Sequence, residues 1–396
     1  MREGAFRLPM APQSGFRINP RVLVWARSSA GMTLETAASR ARLRPEELAS
    51  WEAGEGIPAI APLQGLATIY RRPLAALLLS RVPETTPLPT DFRLLPLEER
   101  EPFSEAIHFA VREARRLARS WKELPAESRG EGRPSLGGAT LSQDPEVVAE
   151  RTRRALGIRL EDQRGWKDER TALRQWRNAV ERTGILVFQF PLPVGQARGF
   201  SVREGAARAI VMNSHDAVSA RIFTIFHELG HLMLGEDGIC LLEEPTTRSQ
   251  AAAVESYCNR FAAELLVPRA SLTGHPVIAK GRTSGTYADS DLATIARDFK
   301  VSREVILGRL LNFRMIDRRT YEDRRSDWKR RGKPRKAGGK RDPPRDCYRR
   351  LGPRFVGTVL NAHHRGILTQ SDVADYLGLR LKHLATLERI AAVEVP

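Results

Sequence analysis

Residues 223–234 read FTIFHELGHLML and hold the most informative pattern in the chain. Their apolar side chains, present on several faces, predict a helix held in a core. His227 and His231 are four residues apart, so at 3.6 residues per turn both imidazoles project from one face. Glu228 lies beside that face. Two histidines with a glutamate at this spacing, H-E-x-x-H, are typical of a zinc site in which the glutamate is the general base.

The pattern also predicts what else the site needs. A bound zinc lowers the pKa of a water to roughly 7, and Glu228 is expected to take the proton as the water attacks a carbonyl. A catalytic zinc needs a third protein ligand and an open fourth position. The best candidate is Glu255, on a separate predicted helix over residues 251–266. Asn259, one turn further on, is placed to hydrogen-bond a ligand imidazole.

Two other carboxylates stay open as the third ligand. Asp237 follows His231 by six residues, an offset that some other zinc peptidases use. Glu264 lies further along the predicted helix of Glu255 and is the weaker rival. The residue types alone therefore favour Glu255 without excluding the other two.

The remaining candidates near the pattern are two cysteines and one histidine. Cys240 and Cys258 lack the CxxC spacing of a thiolate site, so we interpret both as small buried hydrophobic residues. His215, in a predicted loop, is a candidate for orienting an oxyanion.

Strand and helix patterns surround this centre. Residues 185–191, 198–202 and 207–213 have strand character and are separated by turn residues. Helices are predicted at residues 20–30, 33–41, 45–53, 61–70, 73–79, 103–124, 145–156, 169–182, 217–234, 251–266, 292–299, 302–313, 355–363 and 371–377. We therefore expect a mainly α fold with a small β-sheet, of the α+β class.

Composition shifts along the chain predict its domain organisation. The expected segments are a flexible tail at 1–18, a helical domain at 19–81, a Pro-rich linker and connector helix at 82–143, the metal-binding domain at 144–316, a basic linker at 317–350 and a helical C-terminal module at 351–396. Residues 324–350 contain 13 Lys or Arg against 3 Asp. This run is predicted to be a mobile tether, either simply solvated or in contact with phosphates.

The overall composition excludes several classes of protein. A hydrophobic fraction of 41 % in 396 residues excludes wholesale disorder. Apolar stretches fall far short of the roughly 20 residues of a membrane span, and the N-terminus lacks the apolar region of a secretory signal. Three cysteines are too few for a disulfide framework. We expect a cytoplasmic protein whose net charge of +17 favours non-specific association with nucleic acid.

HELGH followed by ESYCNRFAAELLVP at 255–268 resembles the ImmA/IrrE family of bacterial metallopeptidases. The lead-in SARIFTIFHELGH and the hairpin GFSV to AIVMN are similar to that family too, so that the likeness covers roughly residues 170–315. The resemblance implies a zincin-like domain with zinc held by His227, His231 and Glu255, and with Glu228 catalytic. It also implies a protease with few substrates, often one that cuts a DNA-bound repressor. Residues 354–379 are similar to a helical segment that follows such domains.

Residues 19–79 resemble an XRE-type helix-turn-helix domain, through GMTLE at 31–35 and LASWEAG at 48–54. By that resemblance the recognition helix begins near residue 45. It carries two glutamates at positions where a DNA-binding helix needs basic or amide side chains. DNA binding and protein interaction therefore both stay open for this domain. The DNA-contact candidates are Arg40, Arg42, Arg44 and Ser50.

These observations predict a regulatory endopeptidase with one zinc per chain. Its expected partner is a helix-turn-helix repressor, which it cleaves to derepress genes; DNA is a possible second partner, and the oligomeric state is open. The substrate is expected to add as a strand beside residues 207–213. The alternative is a helix-turn-helix transcription regulator whose zincin domain serves as a sensor or interaction module.

Overall fold

The computed structural model describes residues 18–84, 88, 103–129, 136–193, 195–235, 248–284, 286–331 and 342–394. The described residues form two compact units, one up to Ala110 and the other from Val111 onward. Helices dominate both units, and one three-stranded sheet lies in the second. The predicted α+β class is therefore confirmed.

Short helices make up the first unit. They are α1 (Pro20–Ser28), α2 (Leu34–Ala41), α3 (Pro45–Ala53), α4 (Ile60–Ile69), α5 (Leu74–Leu77) and the first residues of α6 (Glu105–Glu123). The Thr33 side chain accepts a hydrogen bond from Thr36 N and so caps α2. Leu23, Leu48 and Tyr70 are fully buried at the centre, which gives the unit its own apolar core.

The second unit contains the remaining elements. They are the rest of α6, α7 (Ala126–Arg129), α8 (Pro145–Leu156), α9 (Leu160–Gly165), α10 (Glu169–Arg182), β1 (Leu186–Phe190), β2 (Gly199–Glu204), β3 (Ala207–Asn213), α11 (Val218–Leu234), α12 (Arg248–Leu266), α13 (Arg269–Thr273), α14 (Pro276–Ser284), α15 (Asp289–Phe299), α16 (Arg303–Asn312), α17 (Arg318–Arg331), α18 (Pro343–His364), α19 (Gln370–Leu377), a 3₁₀ turn at Leu381–His383 and α20 (Leu384–Glu394). Among the helices described, none combines the length and the apolar character that crossing a membrane requires.

The sheet has the order β1-β3-β2. β2 and β3 form an antiparallel hairpin with Phe200 opposite Val211, and β1 runs parallel to β3 with Val187 beside Ile210. β3 is therefore the central strand. The expectation that a substrate strand adds beside residues 207–213 is wrong, because β1 and β2 already occupy both edges of β3.

Each face of the sheet packs against a different set of helices. Ile210 and Met212 point into the core that contains α10 and α11. Phe188 points to the opposite face, where its ring lies 5.8 Å from that of Phe355 in α18. The Phe355 ring in turn stacks on Trp121 of α6 at 6.0 Å. Because both faces are covered, the strands are buried on both sides.

The prediction of a basic linker at 317–350 is wrong for most of the residues that the structure describes in this range. Residues 318–331 form the helix α17, and α18 already begins at Pro343; residues 332–341 lie outside the described part of the chain. The arginines of α17 pair with carboxylates, as in Arg318–Glu322 at 2.8 Å and Arg325–Glu304 at 2.6 Å. Tyr321 and Trp328, seven residues apart, pack against the core of the second unit, and the ion pairs within α17 and to neighbouring helices add to this contact.

The C-terminal helices belong to the second unit and are not a separate module. Arg177 Nη1 and Gln189 Nε2 both donate to Arg349 O, at 2.8 and 3.1 Å, and so tie α18 to α10 and β1. Arg354 N donates to the buried Glu181 Oε2 at 3.2 Å. The expected boundary at residue 351 falls at a break in α18, where Gly352 has a non-helical φ of 86°, and the helical residues 343–351 precede it.

Gly199 allows the edge strand β2 to lie directly against α11. A Cβ at this position would overlap Thr224 Cγ2 and lie 2.6 Å from Val211 O. Gly199→Ala should therefore lower the free energy of unfolding by about 1–3 kcal/mol, the usual cost of overpacking. Denaturant unfolding measures this change.

Gly308→Ala is the matched control for Gly199→Ala. A Cβ at Gly308, inside α16, would meet open space, so this variant should be as stable as the wild type or slightly more stable. Equal stability of the two variants would contradict the close approach of β2 to α11.

Candidate metal centre

The helix α11 carries the predicted histidine pair. It runs through Val218–Leu234, and its side chains from Ile222 onward are buried, so the whole cylinder lies inside the core. His227 is fully buried and His231 nearly so, with exposed fractions of 0 and 2 %. Their Nε2 atoms lie 3.1 Å apart. The four-residue spacing thus directs both rings to one point, as expected for a single turn.

Glu255 completes the cluster from α12. Its Oε2 lies 3.4 Å from His227 Nε2, and its Oε1 lies 3.3 Å from His231 Nε2. In the part of the chain that the structure describes, these three side chains are the one group found with the composition and spacing of a metal site. Zinc bonds of about 2.0–2.1 Å in tetrahedral geometry place neighbouring ligand atoms roughly 3.3 Å apart. The observed separations therefore fit a tetrahedral ion with one open position.

Asn259 orients the first histidine. His227 Nδ1 donates to Asn259 Oδ1 at 3.1 Å, since an amide oxygen can only accept. With the proton on Nδ1, the lone pair of His227 is on Nε2, which points at the cluster. A partner of this kind fixes the tautomer and the orientation of a ligand imidazole.

The charge state of Glu255 suits a ligand. Burial disfavours its ionised form, but the two neighbouring imidazoles outweigh burial and lower the pKa of the carboxyl. The carboxylate is therefore ionised at neutral pH and presents both oxygens to the histidines.

Of the two rival carboxylates, the structure describes Glu264. Glu264 Oε1 accepts from Arg269 N at 2.9 Å and its other oxygen pairs with Arg309, so this carboxylate is bound within the core. Asp237 and Cys240 lie outside the described residues. Cys258 is a fully buried free thiol, in agreement with its interpretation as a small core residue.

His215 precedes α11, and its Nδ1 donates to Leu192 O at 3.2 Å. Its suggested role in orienting an oxyanion stays a prediction.

Two further residues shape the site and were not singled out from the sequence. A Cβ at Gly230 would lie 3.1 Å from Cys258 Sγ and 3.3 Å from Phe261 Cδ1, so glycine lets α11 and α12 approach closely. Arg203 of β2 donates to Leu232 O and, at 2.7 Å, to Gly235 O at the C-terminal end of α11. A cation is favourable at that end of a helix. Gly230 stands inside HELGH and could have been noticed, whereas nothing in the sequence links Arg203 to α11.

The four DNA-contact candidates lie in the first unit. Arg40 pairs with Glu105, Arg42 ends α2 with a φ of 57°, and Arg44 precedes α3 as its N-cap residue. Ser50 lies within α3 and is half-buried. The role of these four residues in DNA contact stays a prediction.

Comparison with known proteins supports the assignment of the second unit. A family model described as Peptidase_M78, IrrE N-terminal-like domain, matches residues 180–311, about a third of the chain. The matched residues include the sheet, α11, α12 and the whole His-His-Glu cluster. The match supports a peptidase domain of the ImmA/IrrE type. Searches of curated proteins and of solved structures gave no significant match.

The cluster makes a direct prediction for metal binding. Glu255→Gln should weaken zinc binding by more than the roughly 10–100-fold that loss of an outer partner costs, because it replaces a charged ligand. Competition with a chromophoric chelator measures the affinity. Glu264→Gln is the matched control on the same helix and should keep wild-type affinity. Loss of zinc in Glu264→Gln with retention in Glu255→Gln would contradict the assignment.

Proposed function

We propose that the chain is a zinc-dependent endopeptidase of the regulatory kind. The observation that carries the proposal is the group of His227, His231 and Glu255, in which the two Nε2 atoms lie 3.1 Å apart and each lies 3.3–3.4 Å from one oxygen of Glu255. The H-E-x-x-H spacing and the family match at residues 180–311 support it. When bound, zinc in this site acts as a Lewis acid toward the scissile carbonyl and a water.

Glu228 acts as the general base and acid in this proposal. It follows His227 in α11 and is fully buried, so its carboxylate is held in position by the core. Glu228 accepts a proton from the attacking water and passes it to the leaving amine. His227, His231 and Glu255 hold the ion during both steps, and Asn259 keeps the ring of His227 aligned.

The substrate backbone adds to the edge of β2. Asn213 N donates to Arg198 O at 2.9 Å, so in the alternating antiparallel pattern Phe200 and Val202 bond toward β3. The peptide group of Ser201 then faces away from β3, where an extended segment can pair with it. Because Gly199 holds β2 against Thr224, one turn before Glu228, a strand on this edge lies beside the reacting groups.

The substrate class in this proposal is a helix-turn-helix repressor. The support is the first unit, whose five short helices α1–α5 fit the predicted helix-turn-helix domain at 19–81. A domain of this type can recruit a protein by pairing with a similar domain. Cleavage of such a repressor releases the genes that it holds silent.

The charge on the first unit favours protein recruitment over DNA reading. Glu46 and Glu47 occupy the first turn of α3, where base and phosphate contacts need positive charge. Arg27 is tied to Glu52 by two hydrogen bonds of 2.8 Å, and Arg40 is paired with Glu105. Arg27 and Arg40 of the first unit are therefore already paired with carboxylates of the same unit.

Reversing the charge of α3 tests recruitment. Glu46→Lys with Glu47→Lys should raise the KM for a repressor several-fold and leave kcat unchanged, because these residues are remote in sequence from the metal centre. Steady-state cleavage assays give both constants. A sequence-specific, salt-sensitive mobility shift that Arg44→Ala abolishes, with an unchanged KM in the double variant, would show DNA reading instead.

The central variant for catalysis is Glu228→Gln. It should bind zinc in the wild-type ratio while cleavage falls by about 10²–10⁴-fold, since an amide cannot shuttle the proton. The assay combines metal analysis with cleavage of purified repressors encoded near the gene. Glu150→Gln, at an exposed carboxylate of α8, is the control and should keep both properties.

The outcomes of the Glu228→Gln assay separate the proposals. Full cleavage by Glu228→Gln would overturn the mechanism. Zinc binding with no cleavage by any form, together with a specific DNA shift, would favour the transcription regulator.

A further inference from the structure

The helices α18, α19 and α20 have the same spacing along the chain as α1, α2 and α3. In the first unit five residues separate α1 from α2, α2 has eight residues, and three residues separate it from α3. At the C-terminus five residues separate α18 from α19, α19 has eight residues, and three residues separate it from the 3₁₀ turn that leads directly into α20. The two groups of helices therefore share one backbone plan.

The two three-residue turns also agree in their backbone conformation. Arg42 and Gly378 begin them in the left-handed region, with φ of 57° and 59°. The leucine that follows each donates its N–H to the carbonyl five residues back, at 2.9 and 3.0 Å. Arg44 and Arg380 end the turns as extended N-cap residues, with ψ of 141° and 140°. Two helices joined by such a short turn, which often contains glycine, form a helix-turn-helix motif.

The second helix of each motif is buried on the same side. Leu48 and Trp51 of α3 lie in the core of the first unit. The residues at the corresponding positions of α20, Leu384 and Leu387, are buried as well. The C-terminal motif thus has its own apolar side, and the opposite side of its last helix is left toward solvent.

The first turn of the last helix is basic, whereas the first turn of α3 is acidic. Lys382 and His383 stand at the positions of the two glutamates in α3. Over the ten residues that begin at Arg380, the chain has three Lys or Arg against one Glu; the corresponding ten residues of the first unit have one Arg against three Glu. Arg380 and Lys382 are exposed, and among the described residues neither forms an ion pair.

Two carboxylates of the C-terminal motif are engaged within it. Asp372 Oδ2 accepts from Thr369 N at 2.8 Å and so belongs to the cap of α19. Glu388 Oε1 lies 3.1 Å from His364 Nε2 of α18. Neither interaction involves the basic residues of the first turn, so the positive charge of that turn stays available to a partner.

We propose that α18–α20 form a second helix-turn-helix and that it binds duplex DNA through the first turn of its last helix. In this motif the N-terminal part of the second helix enters the major groove. Arg380 and Lys382 then contact phosphates at the edge of the groove, and His383 faces the bases. This binding is separate from peptide cleavage and from the recruitment proposed for the first unit, and it does not depend on the zinc site.

Removal of two charges from this turn tests the proposal. Arg380→Ala with Lys382→Ala should weaken binding of the full chain to a short labelled duplex several-fold. The slope of log K against log salt should become shallower by about 2, because each lost phosphate contact removes about 0.9. Fluorescence anisotropy over a series of salt concentrations gives both quantities. Unchanged affinity in this variant, or a wild type that does not bind the duplex, would overturn the proposal.

Arg318→Ala with Arg319→Ala is the matched control. It removes the same two charges from exposed positions of α17 and should keep wild-type affinity and slope. An equal loss in this control would mean that only the net charge attracts DNA, and the proposal would fail. Loss of binding in Arg44→Ala, with normal binding in the Arg380 and Lys382 variant, would assign DNA contact to the first unit instead and would also overturn it.

Lysine acetylation of the unmodified chain covers the case in which a variant does not fold. Duplex DNA should protect Lys382 from the reagent and leave Lys280, another exposed lysine, reactive. Mass spectrometry of the peptides reads both positions. Equal reactivity of Lys382 with and without DNA would contradict the proposal. Protection of Lys382 by a purified repressor, but not by the duplex, would identify a protein interface and would overturn it as well.

Discussion

The close packing of α11 against α12 at Gly230 is the constraint on which the site depends. One helix can offer two ligands a turn apart, but the third must come from another element and reach the same point. A Cβ at Gly230 would lie 3.1 Å from Cys258 Sγ, so even one methyl group would require the neighbouring side chains to shift by a few tenths of an ångström. Glu255 lies 3.3–3.4 Å from both histidines because this separation is kept small.

The sheet and the C-terminal helices hold α11 in place from the other side. β2 approaches α11 through Gly199, and Arg203 binds the carbonyls at the end of that helix. The opposite face of the sheet is covered by Phe355 of α18, which stacks on Trp121 of α6. Parts of α6 and α18, which lie outside residues 180–311, thus complete the packing that supports α11.

The sequence predicted those features that depend on local geometry. The pairing of His227 with His231 follows from the pitch of one helix, and α8, α10 and β3 have the bounds that the sequence pattern indicated. The order of the strands could not be predicted, because a parallel partner such as β1 is chosen by contacts distant along the chain. The helix α17 was missed because Tyr321 and Trp328, which pack against the core, lie among many charged side chains. Gly352, with a φ of 86°, and Pro353 do break α18, but residues 343–351 form a helical segment before that break.

X-ray absorption at the zinc edge tests the central claim most directly. The account predicts, for the zinc-loaded protein, nitrogen and oxygen neighbours only, at about 2.0–2.1 Å, with the outer-shell signal of two imidazoles. A zinc–sulfur distance near 2.3 Å, or the signal of fewer than two imidazoles, would contradict it.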